Sequence, residues 1–318
     1  MRWVADPTGI PIDWDQITVQ ASRELAGMPV GALYPAMSIQ VSADGRQFKF
    51  RHYAEQVEVR EIVRILETMD ATLPATPLVG LSERMLCFEY IPLDQQAKSG
   101  TLYEAIGVWM GRLAVKTQDW EMPSWMDTTA SAWFDGLERS GFFSRAVVHR
   151  ARAKYTALRP PAMTVCINYW DAMEPNFGYL NGKALLLDEK HLRPGIRGIG
   201  LVKPRLFLPK DVYASMLKGY ALSASVEDLD QNEPFLEFTY RTYALWFYLL
   251  GMRIGATSYD GNSRLRQFRA AYLDLIEATP AERSRDQFTF IMRFPRQNAR
   301  NFWRRVKRRF RRRFAQSG

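Results

Sequence analysis

Two groups of short strand-like segments separate longer stretches of helical periodicity, and this alternation restricts the chain to a fold that mixes strands and helices. The first group lies within residues 38–91 and the second within residues 163–189. An Asp-Gly pair at 44–45 and an Asn-Gly pair at 181–182 each stand between two short apolar runs, which favours tight hairpins. The sequence therefore predicts a small antiparallel sheet and, after a helical region, a second β hairpin.

Helical periodicity accounts for most of the remaining chain. Apolar residues in AEQVEVREIVRILETM (54–69) recur at three- and four-residue spacing, and charged residues occupy the other side. Similar patterns occur at 102–117, over 131–158 and from about residue 210 onward. The order of a β-rich part, helices, a hairpin and further helices predicts two parts of unequal size.

Composition and residue spacing exclude several classes of protein. Apolar residues make up 47% of the 318 residues, which is the balance of a globular chain with a sizeable core. The two cysteines, Cys87 and Cys166, and the three scattered histidines fit neither a zinc site nor a disulfide framework. The longest apolar run, at 242–252, is too short to span a bilayer, and the N-terminus lacks the apolar run of a signal peptide. We therefore expect a cytoplasmic protein that is soluble or peripheral on a membrane.

The segment NYWDAMEPNFGYLNGKALLLDE (168–189) brings three oxygen-bearing side chains into close spacing. Asn176 follows Asp171 by five positions, and Asp188 ends the hairpin that comes next. Phosphoryl transfer needs a carboxylate to orient the attacking hydroxyl, together with oxygen ligands for magnesium. An Asp and an Asn at this spacing also occur in ordinary solvent-exposed turns. The addition of Asp188 across the hairpin favours a phosphotransfer site.

This segment resembles the aminoglycoside-phosphotransferase-like and lipopolysaccharide-kinase-like branches of the protein-kinase-like superfamily, in which H-G-D-x4-N precedes a hairpin and a second Asp. By that resemblance Asp171 is the catalytic residue, Asn176 is a metal ligand and Asp188 is the principal metal ligand, with ATP and Mg2+ as cofactors. The resemblance covers about residues 36–220, and the spacing of these three residues is its most specific part.

The resemblance also implies the architecture. The fold class is α+β, a two-lobed protein-kinase-like fold to which a C-terminal basic amphipathic helix is added. Residues 1–94 would form a small β-rich N-lobe that contains one helix. Residues 95–295 would form a larger, mostly helical C-lobe with the catalytic and metal loops, and residues 296–318 the basic helix.

Five positions in the N-lobe match nucleotide-binding positions of these families. QFKFRHY occupies the place of the strand that carries a phosphate-binding lysine, which makes Lys49 the first candidate. Arg51, two residues on and on the same face of the strand, is the alternative. Glu61, in the helix that follows, is the predicted partner of that cation. FEYIP resembles the hinge whose backbone groups bind adenine, which assigns that role to Glu89 and Tyr90.

Three departures from the family pattern bear on catalysis. Tyr169 and Trp170 replace the His-Gly that precedes the catalytic Asp, and Glu189 follows Asp188 where these families usually have an aromatic residue or glycine. No glycine-rich loop is visible at ALYPAM (32–37), although backbone amides that surround phosphates usually need glycine for close approach. These departures leave open a second interpretation, in which the chain is an inactive pseudokinase that acts as a scaffold for a membrane partner.

The positive charge is concentrated at the C-terminus. Ten cations and no acid lie in residues 296–318, so the net charge of +9 falls to about −1 without this tail. Apolar residues recur every four positions among the cations, which predicts a helix with one apolar stripe and cationic sides. Such a helix lies in the headgroup layer of an anionic membrane. The predicted membrane-binding residues are Phe302, Trp303, Arg304, Arg305, Lys307, Arg308, Arg309, Phe310, Arg312 and Phe314.

We therefore expect an ATP- and Mg2+-dependent phosphotransferase at the inner face of the cell membrane. Its acceptor would be a hydroxyl of a saccharide or lipid-linked envelope substrate, such as lipopolysaccharide. Two alternatives for the tail remain, a solvated disordered segment and a nucleic-acid-binding segment. Nucleic acid is the less favoured partner because arginine-rich RNA-binding segments do not need an apolar stripe.

Overall fold

The computed structural model describes residues 2–3, 18–21, 36–43, 46–53, 56–81, 83, 85–90, 99–118, 125–253 and 263–293. The chain divides into two compact units. The first consists of residues 1–122 and 161–236, and the second of residues 123–160 and 237–318. The predicted lobe boundaries do not follow from this division and stay predictions.

Six strands of the described residues in the first unit form one antiparallel sheet. In chain order they are β1 (Arg2–Trp3), β2 (Thr18–Ala21), β3 (Ala36–Ala43), β4 (Arg46–Tyr53), β5 (Leu78–Leu81) and β6 (Met85–Glu89). Their order across the sheet is β1-β5-β6-β4-β3-β2, so β4 lies in the interior between β3 and β6. Ala43 pairs with Arg46, which confirms the hairpin predicted at 44–45.

Helix α1 (Gln56–Glu67) connects β4 to β5, as its periodicity predicts. Val59, Ile62 and Ile65 are buried at spacings of three residues, while Arg64 is exposed. The apolar stripe therefore faces the interior of the unit, and the charged side of the helix meets solvent.

Four more strands form two further antiparallel pairs in the first unit. They are β7 (Val165–Tyr169), β8 (Phe177–Leu180), β9 (Lys183–Leu186) and β10 (Leu192–Ile196). The turn between β8 and β9 has positive φ at both Asn181 (49°) and Gly182 (77°), as a tight type I′ turn requires. β10 pairs antiparallel with β7, and this pairing was not predicted. Its consequence is that the chain before β8 and the chain after β9 lie side by side.

The remaining helices of the described residues are divided between the two units. In chain order they are α2 (Ser99–Lys116), α3 (Trp125–Arg139), α4 (Arg145–Leu158), α5 (Ile199–Phe207), α6 (Lys210–Ala221), α7 (Glu227–Arg253), α8 (Ser263–Leu275) and α9 (Pro280–Arg293). None of these helices is both long and apolar enough to cross a membrane. The predicted tail helix at 296–318 lies outside the described residues, as does most of the ALYPAM segment.

In the first unit, α2 packs against α6 with the two backbones in direct contact. A Cβ at Gly107 would lie 2.0 Å from the carbonyl oxygen of Met216, and a Cβ at Gly219 would lie 2.0 Å from that of Glu104. Only glycine permits this approach. The Trp109 indole N–H on the same helix donates to the Pro74 carbonyl oxygen at 3.1 Å, so α2 also holds the segment that leads into β5.

The second unit is built around a buried ion pair. Arg269 on α8 contacts Asp286 on α9, and both side chains are almost fully buried. Asp286 also accepts a hydrogen bond from the Ser144 backbone N–H at 2.7 Å. The rings of Phe143 and Phe290 lie within 5.1 Å and 4.6 Å of the Arg269 guanidinium carbon, which adds cation–π contacts to the pair.

We predict that Gly107→Ala lowers the free energy of unfolding by about 1–3 kcal/mol, because the new methyl carbon overlaps the carbonyl oxygen of Met216. Chemical denaturation measures the loss. Gly100→Ala on the same helix is the matched control, since its Cβ would meet only the Ser215 hydroxyl at 3.6 Å. The control should be neutral or slightly stabilising because alanine favours helix over glycine. Equal effects of the two substitutions would contradict the close packing of α2 on α6.

Candidate active site

The three acid and amide residues predicted from the sequence lie together. Asp171 follows β7, Asn176 ends the short 3-10 turn before β8, and Asp188 follows β9. The Asn176 side-chain N–H donates to the backbone carbonyl oxygen of Asp171 at 2.8 Å. The backbone N–H of Leu187, next to Asp188, donates to the Asn176 carbonyl oxygen at 2.9 Å. The hairpin thus returns Asp188 to the loop that carries the other two.

Asp188 is held between two cations. Arg51 on β4 contacts Asp188 Oδ1 at 2.8 Å, and the Lys190 ammonium contacts Oδ2 at 3.0 Å. Burial alone would raise the pKa of Asp188, but the attraction of Arg51 and Lys190 outweighs it and holds that pKa well below its usual value. The carboxylate is therefore ionised across the physiological range, as a metal ligand must be.

Glu189 receives three hydrogen bonds from side chains of β4. Its Oε1 accepts from the Tyr53 hydroxyl at 2.9 Å and from Arg51 Nε at 3.2 Å, and its Oε2 accepts from the Lys49 ammonium at 3.2 Å. The Lys49 ammonium also donates to the Leu187 carbonyl oxygen at 2.5 Å. Burial acts to raise the pKa of Glu189, yet Lys49 and Arg51 lower it overall. The pKa of Tyr53 lies well above its usual value, first because the hydroxyl is buried and second because of the negative charge of Glu189.

The pair predicted between Lys49 and Glu61 is not formed, so this prediction is wrong. Lys49 contacts Glu189 instead. Glu61 is one third exposed and lies 4.0 Å from Arg64, one turn along the same helix. The spacing in α1 placed a glutamate in the expected helix, but the position of that side chain depends on tertiary packing that periodicity does not describe.

The predicted adenine-binding residues lie at the end of β6. Both carboxylate oxygens of Glu89 accept from Arg46, at 2.7 Å and 2.6 Å. The backbone N–H of Glu89 donates to Pro77, and that of Tyr90 donates to Gln47. Since both N–H groups are used within the sheet, adenine contacts from these two residues would have to come from their carbonyl oxygens. Their role in nucleotide binding stays a prediction.

Two residues that the sequence did not single out as functional contact the Asp171 carboxylate. The Lys203 ammonium on α5 pairs with Oδ1, and His191 Nε2 lies 3.6 Å from Oδ2. α5 approaches β7 closely enough for this because its second residue is Gly200, where a Cβ would lie 2.4 Å from the Tyr169 carbonyl oxygen. No local pattern marks Lys203, since it reaches Asp171 only through the packing of α5.

His191 is an uncharged neighbour of Asp171. Burial lowers its pKa to about 3 and outweighs the charges of Asp171 and Asp188, which act to raise it. Its ring meets Tyr169 edge to face, with the ring centres 5.9 Å apart. Tyr169 is fully buried and also meets Phe177 edge to face at 5.1 Å. Tyr169 is therefore an aromatic core residue at the position where the families named above have histidine. The imidazole near Asp171 belongs instead to His191, in the loop after β9.

We predict that His191→Asn weakens the pH dependence of stability between pH 7 and pH 5. The folded protein keeps His191 neutral down to about pH 3, whereas an unfolded histidine gains a proton below about pH 6.5. Wild-type stability therefore falls as the pH decreases through this window, by about 2 kcal/mol at pH 5 from this residue. Chemical denaturation at several pH values measures the slope.

The control for this experiment is His149→Asn, because His149 is exposed on α4. This substitution should leave the slope between pH 7 and pH 5 as it is in the wild type. A slope that His191→Asn does not change would show that His191 is not held neutral by burial.

The residues at this site fit a metal ion that arrives with phosphate groups. Within the described residues, no group of three or more His, Cys, Asp or Glu side chains could hold a metal alone. Asp188 offers a carboxylate, and Asn176 offers its amide oxygen because its amide nitrogen is used by Asp171. Magnesium usually takes one or two protein oxygens and fills its other positions with phosphate oxygens and water.

Comparison with known proteins identifies the fold. No protein-family model matches the sequence, and no curated protein does either. Solved structures do match, among them an amicoumacin kinase in complex with AMP-PNP, Ca2+ and Ami. It matches at 13% identity over 84% of this chain and 90% of that one, with a TM-score of 0.59. A putative fructosamine-3-kinase from Thermobifida fusca matches at 12% identity, with coverages of 85% and 94% and a TM-score of 0.58. A choline kinase from Streptococcus pneumoniae matches at 12% identity, with coverages of 82% and 94% and a TM-score of 0.56.

The chain has a protein-kinase-like fold. The matches cover more than four fifths of it, and the observed α+β architecture, a sheet with one helix followed by mostly helical chain, confirms the predicted fold class. At 12–13% identity these similarities describe the fold alone. One fold supports many functions, so the activity depends on the residues of the site.

Proposed function

We propose that this protein is an ATP- and Mg2+-dependent kinase that transfers a phosphoryl group to a hydroxyl. The observation that carries the proposal is the convergence of Asp171, Asn176 and Asp188 beside two cations of β4. The Arg51 guanidinium lies 2.8 Å from Asp188 Oδ1. The Lys49 ammonium donates to the carbonyl oxygen of Leu187, the residue before Asp188. Carboxylates for a metal and cations for phosphates in one place are the arrangement that phosphoryl transfer uses.

Each residue of the site has a distinct task in this proposal. Asp171 orients the acceptor hydroxyl and accepts its proton. Asp188 and Asn176 bind the magnesium ion, which neutralises charge on the nucleotide phosphates when it is bound. Lys49 and Arg51 bind the phosphates through charge-assisted hydrogen bonds. Lys203 lies against Asp171, where it holds the carboxylate in place.

The acceptor in our proposal is a saccharide or a lipid-linked envelope molecule at the inner face of the cell membrane. This part is supported by the cationic, aromatic tail at 296–318, which would concentrate the enzyme where such acceptors lie. The kinases with similar structures are named for amicoumacin, fructosamine and choline. Those names also favour a polar small molecule or headgroup over a protein as the acceptor.

A pseudokinase scaffold is the second candidate, and one observation favours it. Both acids that would act in catalysis are neutralised by cations of the chain itself, Asp171 by Lys203 and Asp188 by Arg51 and Lys190. A metal ion would have to displace these contacts, whereas a scaffold would keep them. Magnesium-dependent nucleotide binding distinguishes the two candidates.

We predict that ATP with Mg2+ raises the melting temperature of the wild type, because a ligand that binds only the folded state stabilises it. At a ligand concentration of 100 times Kd the gain is about 2.7 kcal/mol. Asp188→Asn should lose this shift. Asp171→Asn should keep the shift but lose transfer of labelled phosphate to envelope saccharides, since its role is in the chemical step. A shift in Asp188→Asn equal to that of the wild type would exclude the metal role.

We predict that removal of residues 296–318 abolishes binding to vesicles that contain anionic lipid. Each cation near such a surface contributes about 1 kcal/mol, so the loss of ten should reduce binding by several orders of magnitude at low salt. Co-sedimentation with anionic and neutral vesicles measures the effect, and RNA at the same salt concentration tests nucleic acid. Unchanged vesicle binding by the truncated chain would contradict the membrane role of the tail.

A further inference from the structure

Strand β4 carries three polar side chains on one buried face. Lys49, Arg51 and Tyr53 alternate along the strand and therefore point to the same side of the sheet. Their exposed fractions are 6%, 2% and 2%. Buried cations are unfavourable unless a charged partner compensates them, so the identity of that partner decides how the strand presents its cations.

Glu189 is the partner that all three side chains share. It is 3% exposed, and both of its oxygens are occupied, Oε1 by Tyr53 and Arg51 and Oε2 by Lys49. Arg51 also reaches past it to Asp188 Oδ1 at 2.8 Å. One glutamate thus bonds to all three of these buried side chains, and Arg51 connects it to the neighbouring carboxylate.

Glu61, the residue assigned to this task from the sequence, does not take part in it. Its side chain is 33% exposed and its contact with Arg64 is long, at 4.0 Å. An ion pair at this distance on a helix surface contributes little to the position of either group. The ammonium of Lys49 has its contacts with Glu189, the Leu187 carbonyl oxygen and the ring of Phe88.

We propose that Glu189 is the positioning residue that holds Lys49 and Arg51 where they receive the nucleotide phosphates. The anchor of the strand cations then lies in the loop after β9 and not at Glu61. The inference rests on the proposed kinase function for its ligand, while its contacts are independent of that function. Glu189 acts through the two cations and does not itself touch the phosphates.

Arg51 links the proposed phosphate-binding groups to the proposed metal ligand. Asp188 and Glu189 are consecutive, and Arg51 is bonded to both, at 2.8 Å and 3.2 Å. A shift of the loop would therefore carry the metal ligand and the cations together. Among the described contacts Glu61 touches neither cation, so a change of that side chain should leave their positions as they are.

A double-mutant cycle on the protein without ligand tests the anchor directly. Lys49→Met and Glu189→Gln should be strongly non-additive in their effect on stability, whereas Lys49→Met and Glu61→Gln should be additive. The opposite pattern would overturn the proposal. If Glu189→Gln does not fold, Tyr53→Phe replaces it, since it removes one hydrogen bond to the same carboxylate. That pair should also be non-additive, and additivity would count against the anchor.

Calorimetric titration with ATP·Mg2+ and with adenosine tests the consequence for phosphates. Glu189→Gln should weaken ATP binding by at least about tenfold, or about 1.4 kcal/mol, and leave adenosine binding unchanged. Glu61→Gln, the matched control, should change neither. Equal weakening by both variants, or none by Glu189→Gln, would overturn the proposal. A wild type that binds no ATP would refute the proposed function, and the cycle would still decide whether Glu189 is the anchor.

Discussion

The rest of the site depends on two buried cations that the interior strand β4 carries. Lys49 and Arg51 are less than 10% exposed, and breaking a buried ion pair by removing one partner costs about 3–5 kcal/mol. The chain compensates them with Asp188 and Glu189, which lie about 140 positions later in the sequence. The same contacts therefore stabilise the fold and fix the geometry of the site. The sheet cannot move relative to the loop without breaking them.

The catalytic side of the site depends on a different kind of constraint, which is close backbone packing. Gly200 lets α5 approach the Tyr169 carbonyl oxygen, and this approach brings Lys203 to Asp171. The buried ring of Tyr169 replaces the histidine of the resembling families, and neutral His191 comes from another loop to lie beside it. With Tyr169 in place of that histidine, Asp171 thus has other supporting contacts, from Lys203 and His191.

Local sequence patterns predicted much of the fold, because helices and tight turns depend on residues that are close in the sequence. The periodicity of 54–69 identified α1, and the Asn-Gly pair at 181–182 identified the hairpin that returns Asp188 to Asp171. What the sequence did not predict depends on contacts between distant segments, namely the pairing of β10 with β7, the reach of Lys203 and the burial of Glu189. Glu61 was wrong as the partner of Lys49 for the same reason. The tail at 296–318 lies outside the described residues, so its membrane role remains a proposal.

In our proposal Asp188 and its neighbours bind a metal ion together with the nucleotide phosphates. Electron paramagnetic resonance with Mn2+ in place of Mg2+ tests it most directly, because free and bound Mn2+ have different signals. We predict that wild type and ATP together remove the free Mn2+ signal at concentrations where neither does so alone, and that Asp188→Asn abolishes this cooperation. The same cooperative binding in Asp188→Asn, or none in the wild type, would contradict the account.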